Sequence, residues 1–275
     1  MAGTGSRTRL ALLSGVAVAS VAVAGALTQQ ASANPVGVAN TDVAAACTTT
    51  VTTQLSSLVV TSGITCIDGT HGGGVTGPIT VTRGAGLYVE DATVGSITAS
   101  SPQMVWLCGT TSKSVAVSGA TGFNALVDTY FSPIGVWIGW GCTGPATNTV
   151  NGSVAIANSA ASDAVSGTLN GVVNDNNNRS NFAGGTVVAA YGTFNGKVTV
   201  AHSAGPVAFI YSFFFQPIAA NFNVGAVDIH NNWLYNAGTA AFNTGGVNVQ
   251  ANMLHGTFSS VGNSAPVVIS NNTPF

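Results

Sequence analysis

The feature that most constrains this chain is a short motif that returns along it, a small residue followed by Val or Ile, any residue, and Val or Ile. It is found from Ile79 to Ile269, and its spacing is most regular in the series Ile79, Ile97 and Val115 and in the series Val227, Val247 and Val267. Alternation of apolar and polar residues is typical of a β-strand with one buried face. A repeat of about 20 residues is typical of a solenoid, whose coils bury their apolar faces against one another.

The sequence therefore predicts an all-β, single-stranded parallel β-helix with coils of about 18–20 residues, which we expect to be right-handed. We interpret the long step between Val115 and Val154 as two coils. The step from Val172 to Val198 and the step from Val198 to Val227 are interpreted as coils with inserted loops, because solenoids absorb insertions on one face.

Asparagine recurs at a fixed offset after the first apolar member of several motifs, at Asn177, Asn232, Asn252 and Asn272. Asn tolerates the left-handed backbone conformation that a sharp corner requires. Its amide can also bond to an identical amide in the next coil. We expect these four residues to form a ladder along the axis. The alternative is that Asn is simply common in turns.

The first residues have the composition of an export signal. Arg7 and Arg9 precede an apolar stretch that covers residues 10–27, and Ala31-Ser32-Ala33 fits a cleavage site. We therefore predict a signal peptide at residues 1–33, a linker or lead-in at 34–46, and a parallel β-helix domain at 47–275. A retained membrane anchor is the weaker alternative, because the stretch is rich in Ala and Gly.

Charge is scarce in this chain. Only 5% of the residues are charged, compared with about 25% in a typical globular protein. Removal of residues 1–33 would leave four scattered basic residues and a net charge of −4. Nucleic-acid binding requires clustered Lys and Arg, so this class is excluded. No apolar run after residue 27 is long enough to predict a transmembrane span in the mature chain.

Four cysteines, Cys47, Cys66, Cys108 and Cys142, lie in a chain expected to be exported. An even number of cysteines in such a chain predicts disulfides. Sequence-local pairing, Cys47 with Cys66 and Cys108 with Cys142, is the preferred one of three connectivities. A zinc site is the alternative, but the chain has no C-x2-C pair. No metal or cofactor is expected.

Asp228 and His230 are the best catalytic candidates in the sequence. Strand alternation places both on the outer face of one coil, with Asn248 and Gln250 one coil later. A carboxylate beside an imidazole can orient it as a general base. The alternative is a polar outer face with a modest ion pair, and it is favoured because no nucleophile accompanies the two residues. The other carboxylates of the predicted β-helix domain are expected to be spread over different coils; they are Asp68, Glu90, Asp91, Asp128, Asp163 and Asp175.

Two aromatic segments interrupt the motif, one from Thr129 to Gly144 and one from Ile210 to Pro217. Their rings could fill the narrow core, which is the favoured interpretation. The alternative is an exposed apolar patch that marks a contact surface.

Several strings resemble a known group of proteins. Asn148 to Val154 (NTVNGSV), the Gly84-Ala85-Gly86-Leu87 coil, the early cysteine and the Ala/Val-rich signal look like the secreted parallel β-helix proteins that are frequent in actinobacteria and mostly lack an assigned activity. The layout is more distantly similar to the pectate-lyase-like superfamily. That similarity implies polysaccharide as a substrate class, by analogy of fold alone.

The sequence favours a secreted, extracellular or cell-wall-associated protein without catalytic activity, in which the solenoid has a structural, surface or adhesive role. Expected partners are a second copy, bound end to end, or cell-surface polysaccharide. The alternative is a polysaccharide-active enzyme or a carbohydrate-binding β-helix.

Overall fold

The computed structural model describes residues 46–127, 130–139, 142, 148–179 and 187–275. The predicted signal peptide at 1–33 and the lead-in up to residue 45 lie outside the described residues. So do Asp128, Thr129 and Trp140.

The described chain is built from short strands and one 3-10 turn at Gly69–His71. The strands, numbered in chain order, are β1 Thr49–Val51, β2 Gln54–Leu55, β3 Leu58–Val60, β4 Ile64–Asp68, β5 Gly74–Val75, β6 Ile79–Val81, β7 Gly86–Glu90, β8 Thr93–Ser100, β9 Met104–Cys108, β10 Thr111–Ser118, β11 Phe123–Val127, β12 Tyr130–Ile138, β13 Thr149–Val150, β14 Val154–Ala157, β15 Ser162–Val165, β16 Thr168–Leu169, β17 Val173–Asn176, β18 Val187–Ala190, β19 Thr193–Phe194, β20 Val198–Ala201, β21 Val207–Ile210, β22 Phe213–Phe214, β23 Ile218–Asn221, β24 Val227–His230, β25 Trp233–Leu234, β26 Gly238–Ala241, β27 Val247–Gln250, β28 Met253–Leu254, β29 Phe258–Ser259, β30 Val267–Ser270 and β31 Thr273–Pro274.

The strands stack in three parallel columns, one on each side of the coil. Column 1 is β1-β4-β7-β9-β12-β15-β18-β21-β24-β27-β30. Column 2 contains the short strands β2, β5, β13, β16, β19, β22, β25, β28 and β31, and column 3 contains β3, β6, β14, β17, β20, β23, β26 and β29. The longer strands β8 and β10 belong to both columns 2 and 3. This arrangement confirms the predicted all-β parallel solenoid.

The core is one continuous apolar column inside the coils. Alternate residues of each strand point inward, so Val227 and Ile229 of β24 stack on Val247 and Val249 of β27 and are fully enclosed. Phe194 and Phe214 fill the corresponding space beneath column 2, with ring centroids 4.8 Å apart. Because a single coil offers only a few inward side chains, stability comes from contacts between successive coils.

The register corrects the predicted coil count. Val115 pairs directly with Val154, so these two residues are one enlarged coil apart and not two. The extra length includes β11, which pairs with β12 in the antiparallel sense.

The step from Val172 to Val198 is one lengthened coil, as predicted, because Val173 pairs directly with Val198. Val154 pairs with Val173 and not with Val172. The step from Val198 to Val227 has a different origin. Val198 lies in column 3 and pairs with Ile218, whereas Val227 lies in column 1 and pairs with Val207. The distance from Val198 to Val227 was therefore measured between motifs of two different columns and is not a coil length. The same motif occurs on two sides of the coil.

The outer face of column 1 carries a second apolar cluster. Tyr88, Trp106 and Trp137 stack edge to face on three successive strands, with ring centroids 5.6 and 5.3 Å apart, and all three are buried. Cys66 and Cys108 belong to the same cluster. Burial and the carboxylate of Glu90 raise the pKa of the Tyr88 phenol.

Two disulfides connect this outer face of column 1 to segments outside the column. Cys47 is bonded to Cys66 and Cys108 to Cys142, with Cα atoms 5.8 and 5.5 Å apart. These are the sequence-local pairs. The second bond holds the enlarged coil, because Cys142 lies between β12 and β13.

Candidate functional site

Asp228 and His230 lie on β24, where Val227 and Ile229 point into the core and the two polar residues therefore face outward. The Asp228 carboxylate oxygen Oδ2 is 2.8 Å from Nδ1 of His230. Both residues are buried, with relative exposures of 2% and 8%. The sequence correctly placed them on the outer face, but it did not predict that this face is enclosed there.

The surroundings of this pair are specific. Asn248, one coil later, donates from Nδ2 to the second carboxylate oxygen of Asp228 at 2.9 Å. The ring of Tyr211 meets the imidazole edge to face, with centroids 5.6 Å apart. Ala208 and Ile210 occupy the corresponding positions one coil earlier, so an apolar surface borders the pair on that side.

The chemistry open to this pair is limited. Asp228 orients the imidazole through Nδ1, which leaves Nε2 as the nitrogen that could exchange a proton with a substrate. The residues in register with His230 are Ile210 and Gln250, and neither is a nucleophile. His230 is 8% exposed and is hydrogen-bonded to a buried carboxylate, so the pair satisfies two buried polar groups.

A second pair, which consists of two carboxylates, lies inside the solenoid. The sequence analysis did not predict that these two residues are neighbours. Asp163 takes a core position between Val136 and Val187 in column 1, and Asp175 takes one between Ile156 and Val200 in column 3. Both carboxylates hydrogen-bond to the amide of Asn178.

Burial raises the pKa of both carboxyls in this pair, that of Asp175 to about 7, and repulsion from Asp175 adds to the rise at Asp163. The expected spread of carboxylates is therefore wrong here. The cause is that Asp163 and Asp175 lie on two strands of the same coil and face each other across the core. The sequence analysis compared only positions that are one coil apart in the chain.

Near the first coils, Asp68 forms a turn with Thr70 and His71. Its carboxylate accepts from the Thr70 hydroxyl and lies 2.6 Å from Nδ1 of His71. The hydrogen bond from Thr70 is the main cause that lowers the pKa of Asp68, and contacts with His71 lower it further against the opposing effect of desolvation. Since the His71 side chain is 72% exposed, this is a surface turn in which Asp68 caps the 3-10 helix.

Asn232, Asn252 and Asn272 form a hydrogen-bonded series at the corner between columns 1 and 2. The Oδ1 of Asn252 accepts from both the backbone N–H and Nδ2 of Asn232, at 3.0 Å each. Asn272 repeats these contacts with Asn252 at 2.9 Å. Each Nδ2 also donates to a core-strand carbonyl one coil earlier, such as that of Ile229. The series thereby satisfies corner backbone groups that would otherwise be buried without partners.

The backbone geometry differs from the expectation at these corners. The residue in the left-handed conformation is the one before the ladder residue, at Asn231, Ala251 and Asn271, with φ between 54° and 56°. Asn177 takes the corresponding left-handed position after column 3, with φ of 58°, and is exposed. It therefore lies outside the series, and its neighbour Asn178 is the buried residue.

The sequence missed a second buried series at the corner after column 3. The residues are Ser203, Asn223, Asn243 and Asn263. The backbone N–H of each of the first three donates to the side-chain Oδ1 of the Asn one coil later, at 2.8 to 2.9 Å. The signal was present, because these Asn residues also recur once per coil. They are offset from the motif of column 3, which is harder to recognise than that of column 1.

Stacked aromatic rings follow the outer surface of the later coils. Parallel pairs with centroids 4.6 to 5.3 Å apart are Tyr191–Tyr211, Phe213–Trp233, Phe215–Tyr235, His202–Phe222 and Phe222–Phe242. The segment from Ile210 to Pro217 is thus divided. Phe214 is in the core as favoured, while Tyr211, Phe213 and Phe215 are exposed.

The described ranges contain no candidate metal-binding cluster and no helix that could span a membrane. No group of three or more His, Cys, Asp or Glu side chains there could hold a metal ion. In the same ranges, no helix has the length and apolar character needed to cross a membrane. Comparison with known proteins finds no matching family model, no matching curated protein and no matching solved structure.

Proposed function

We propose that this chain is a secreted protein without catalytic activity, in which the β-solenoid serves as a stiff structural or adhesive rod outside the cell. One observation carries the proposal, namely that buried polar side chains of the later coils are used to join one coil to the next. Asn248 binds Asp228, and Asn252 links Asn232 to Asn272. Such contacts resist separation of the coils.

The compartment is part of the same proposal. Disulfides persist in oxidising environments and are rare in the cytosol of most cells. The two disulfides of this chain support an extracellular or cell-wall location, as does the export signal proposed for residues 1–33.

Fractionation of the native producer tests the proposal. An antibody against residues 187–275 should detect the mature chain in the medium, the wall fraction or a self-assembled fraction, and not in the cytosol. Light scattering of the purified chain tests self-association, and release from the wall by glycan-degrading enzymes tests attachment to cell-surface polysaccharide. A cytosolic chain with reduced cysteines would refute the proposal.

The catalytic alternative is tested separately at the Asp228–His230 pair. Wild-type protein and the variants Asp228→Asn and His230→Gln are incubated with a polysaccharide panel, and released reducing ends and unsaturated sugars are measured. We expect no release by any of the three proteins. Release that both variants abolish would instead establish a hydrolytic or lytic site.

Carbohydrate binding without catalysis is a second candidate, favoured by the aromatic surface. In the later coils the outer face of column 3 carries small side chains, among them Thr199, Ala219 and Thr239. The Phe215–Tyr235 stack precedes this face along the coil and the Phe222–Phe242 stack follows it. Aromatic rings beside a surface of small, uncharged side chains suit a neutral glycan better than an acidic one.

Binding to insoluble neutral polysaccharides tests this candidate. The double variant Phe222→Ser/Phe242→Ser should reduce binding at least tenfold. Val224→Ser is the control, because Val224 is 63% exposed but lies beyond the aromatic corner. Equal binding by the double variant and the control would exclude this surface.

A further inference from the structure

The interior of a solenoid is the least favourable place for a carboxylate, yet Asp163 and Asp175 are both there, with relative exposures of 1% and 2%. Their register partners in neighbouring coils are all Val or Ile, which shows that the positions themselves belong to the apolar core. Two ionised carboxylates side by side in such surroundings are strongly disfavoured by desolvation and by mutual repulsion.

The hydrogen bonds of the pair are unequal. Asp163 accepts from the backbone N–H of Val136 at 2.9 Å, the hydroxyl of Ser159 at 3.1 Å and Nδ2 of Asn178 at 3.0 Å. Asp175 accepts through Oδ1 from the same Asn178 amide. Within the described part of the chain, no donor reaches its second oxygen, Oδ2, which is buried.

Three agents could balance the second negative charge, and the geometry distinguishes them. A cation between the carboxylates is disfavoured because the Asn178 amide group already donates to both of them. Its orientation is set, since its Oδ1 accepts from the backbone N–H of Ser159 at 3.2 Å. A basic side chain is not found beside the pair among the described residues, and Arg179, the nearest in sequence, is exposed. A proton remains.

We propose that Asp163 and Asp175 hold at least one proton between them at neutral pH, and that loss of this proton in alkaline solution loosens the middle coils of the rod. The two carboxyls share the proton in unequal surroundings, because three donors reach Asp163 and one reaches Asp175, while repulsion from Asp175 favours a protonated Asp163. The groups that face the pair from adjoining strands, Val136, Ile156 and Val200, do not titrate.

The sign of the pH dependence follows from the raised pKa. An unfolded aspartate ionises near pH 4, whereas the pKa of Asp175 is raised to about 7 by burial. The stabilisation is complete below about pH 4 and is lost as the pH rises through 7, because between these values the folded state binds more protons than the unfolded state. The unfolding equilibrium constant should rise up to tenfold per pH unit for each proton.

Denaturant unfolding of the disulfide-bonded protein between pH 5 and 8 tests the proposal. The wild-type unfolding constant should rise more than tenfold over this range. Asp175→Asn keeps the shape of a protonated acid and should flatten the rise. Asp91→Asn, at an exposed corner, should follow wild type. The four histidines contribute equally to the pH dependence of both proteins, so the difference in slope between wild type and Asp175→Asn excludes their contribution. Equal slopes for wild type and Asp175→Asn would overturn the proposal.

A direct measurement covers the case in which Asp175→Asn does not fold. The infrared carbonyl stretch of a protonated carboxylic acid should persist in the folded wild-type protein at pH 6 and disappear by pH 9. Hydrogen exchange should increase over the same range in residues 148–178 and not in 227–275. Absence of the carbonyl band at pH 6 would refute the proposal whatever the behaviour of the variant.

Discussion

Removal of one amide from the Asn232–Asn252–Asn272 series is the most informative perturbation of this fold. The side chain of Asn252 makes four hydrogen bonds, two accepted from Asn232, one donated to the Ile229 carbonyl and one donated to Asn272. It is fully buried. Asn252→Ala removes all four and leaves the Asn232 N–H without its partner.

The expected cost can be worked out from these contacts. Each hydrogen bond contributes a net ~0.5–1.5 kcal/mol, and a buried group left without a partner costs about 1–3 kcal/mol. Asn252→Ala should therefore lower the free energy of unfolding by about 2–6 kcal/mol. Asn252→Ser should lose about half as much. The reason is found at Ser212, which lies one coil before Asn232 and donates its N–H to the Asn232 Oδ1. Its hydroxyl accepts from the Gly192 N–H and donates to the Ile210 carbonyl, so a serine can keep part of these contacts.

Asn231→Ala is the matched control. Asn231 precedes the ladder residue and has a φ of 56°, and Ala251 occupies the same position one coil later with a φ of 54°. Alanine is thus accommodated there, and the substitution should cost less than about 1 kcal/mol.

Urea unfolding followed by tryptophan fluorescence measures these differences. Native-state hydrogen exchange at the Asn232 amide reports the lost contact directly, even if coils unfold separately. The reasoning would be refuted if Asn252→Ala and Asn231→Ala destabilised the protein equally, or if exchange at Asn232 did not change.

Two further predictions concern packing and crosslinks. Phe214→Ala should lower the free energy of unfolding by about 3–5 kcal/mol, because the ring is 1% exposed and stacked in the core. Phe222→Ala, at a ring that is 49% exposed, should cost less than about 1 kcal/mol, and a similar cost for both in calorimetry would argue against the core assignment. The double variant Cys108→Ser/Cys142→Ser opens a crosslink with a sequence separation of 34 and should cost about 2–4 kcal/mol. An unchanged melting temperature would contradict this expectation.

The period of the fold could be predicted from the sequence, but the assignment of motifs to columns could not. Val198 and Val227 begin the same kind of motif and lie on different sides of the coil. Local alternation reports that a strand has one buried face, and it does not report which neighbour the strand pairs with. Pairing is set by contacts between coils, as shown by the direct register of Val115 with Val154.

The candidate site shows the same division. Alternation along β24 placed Asp228 and His230 on one face, and their hydrogen bond follows from that placement. Their burial does not follow from it, because the enclosure of an outer face depends on what packs over it. The contact between Asp163 and Asp175 was missed because it crosses the core within one coil, through Asn178.

The sequence by itself determined that this chain is a repeating β-structure with parallel, stacked coils, because strand alternation and the return of one motif in every coil are properties written locally in the chain. The tertiary structure alone decided which strands share a column, which polar residues are enclosed and which aromatic rings reach the surface. The physical reason is that burial and hydrogen bonding in a solenoid are relations between coils, and each depends on residues that lie one coil apart in the chain or on opposite sides of the core.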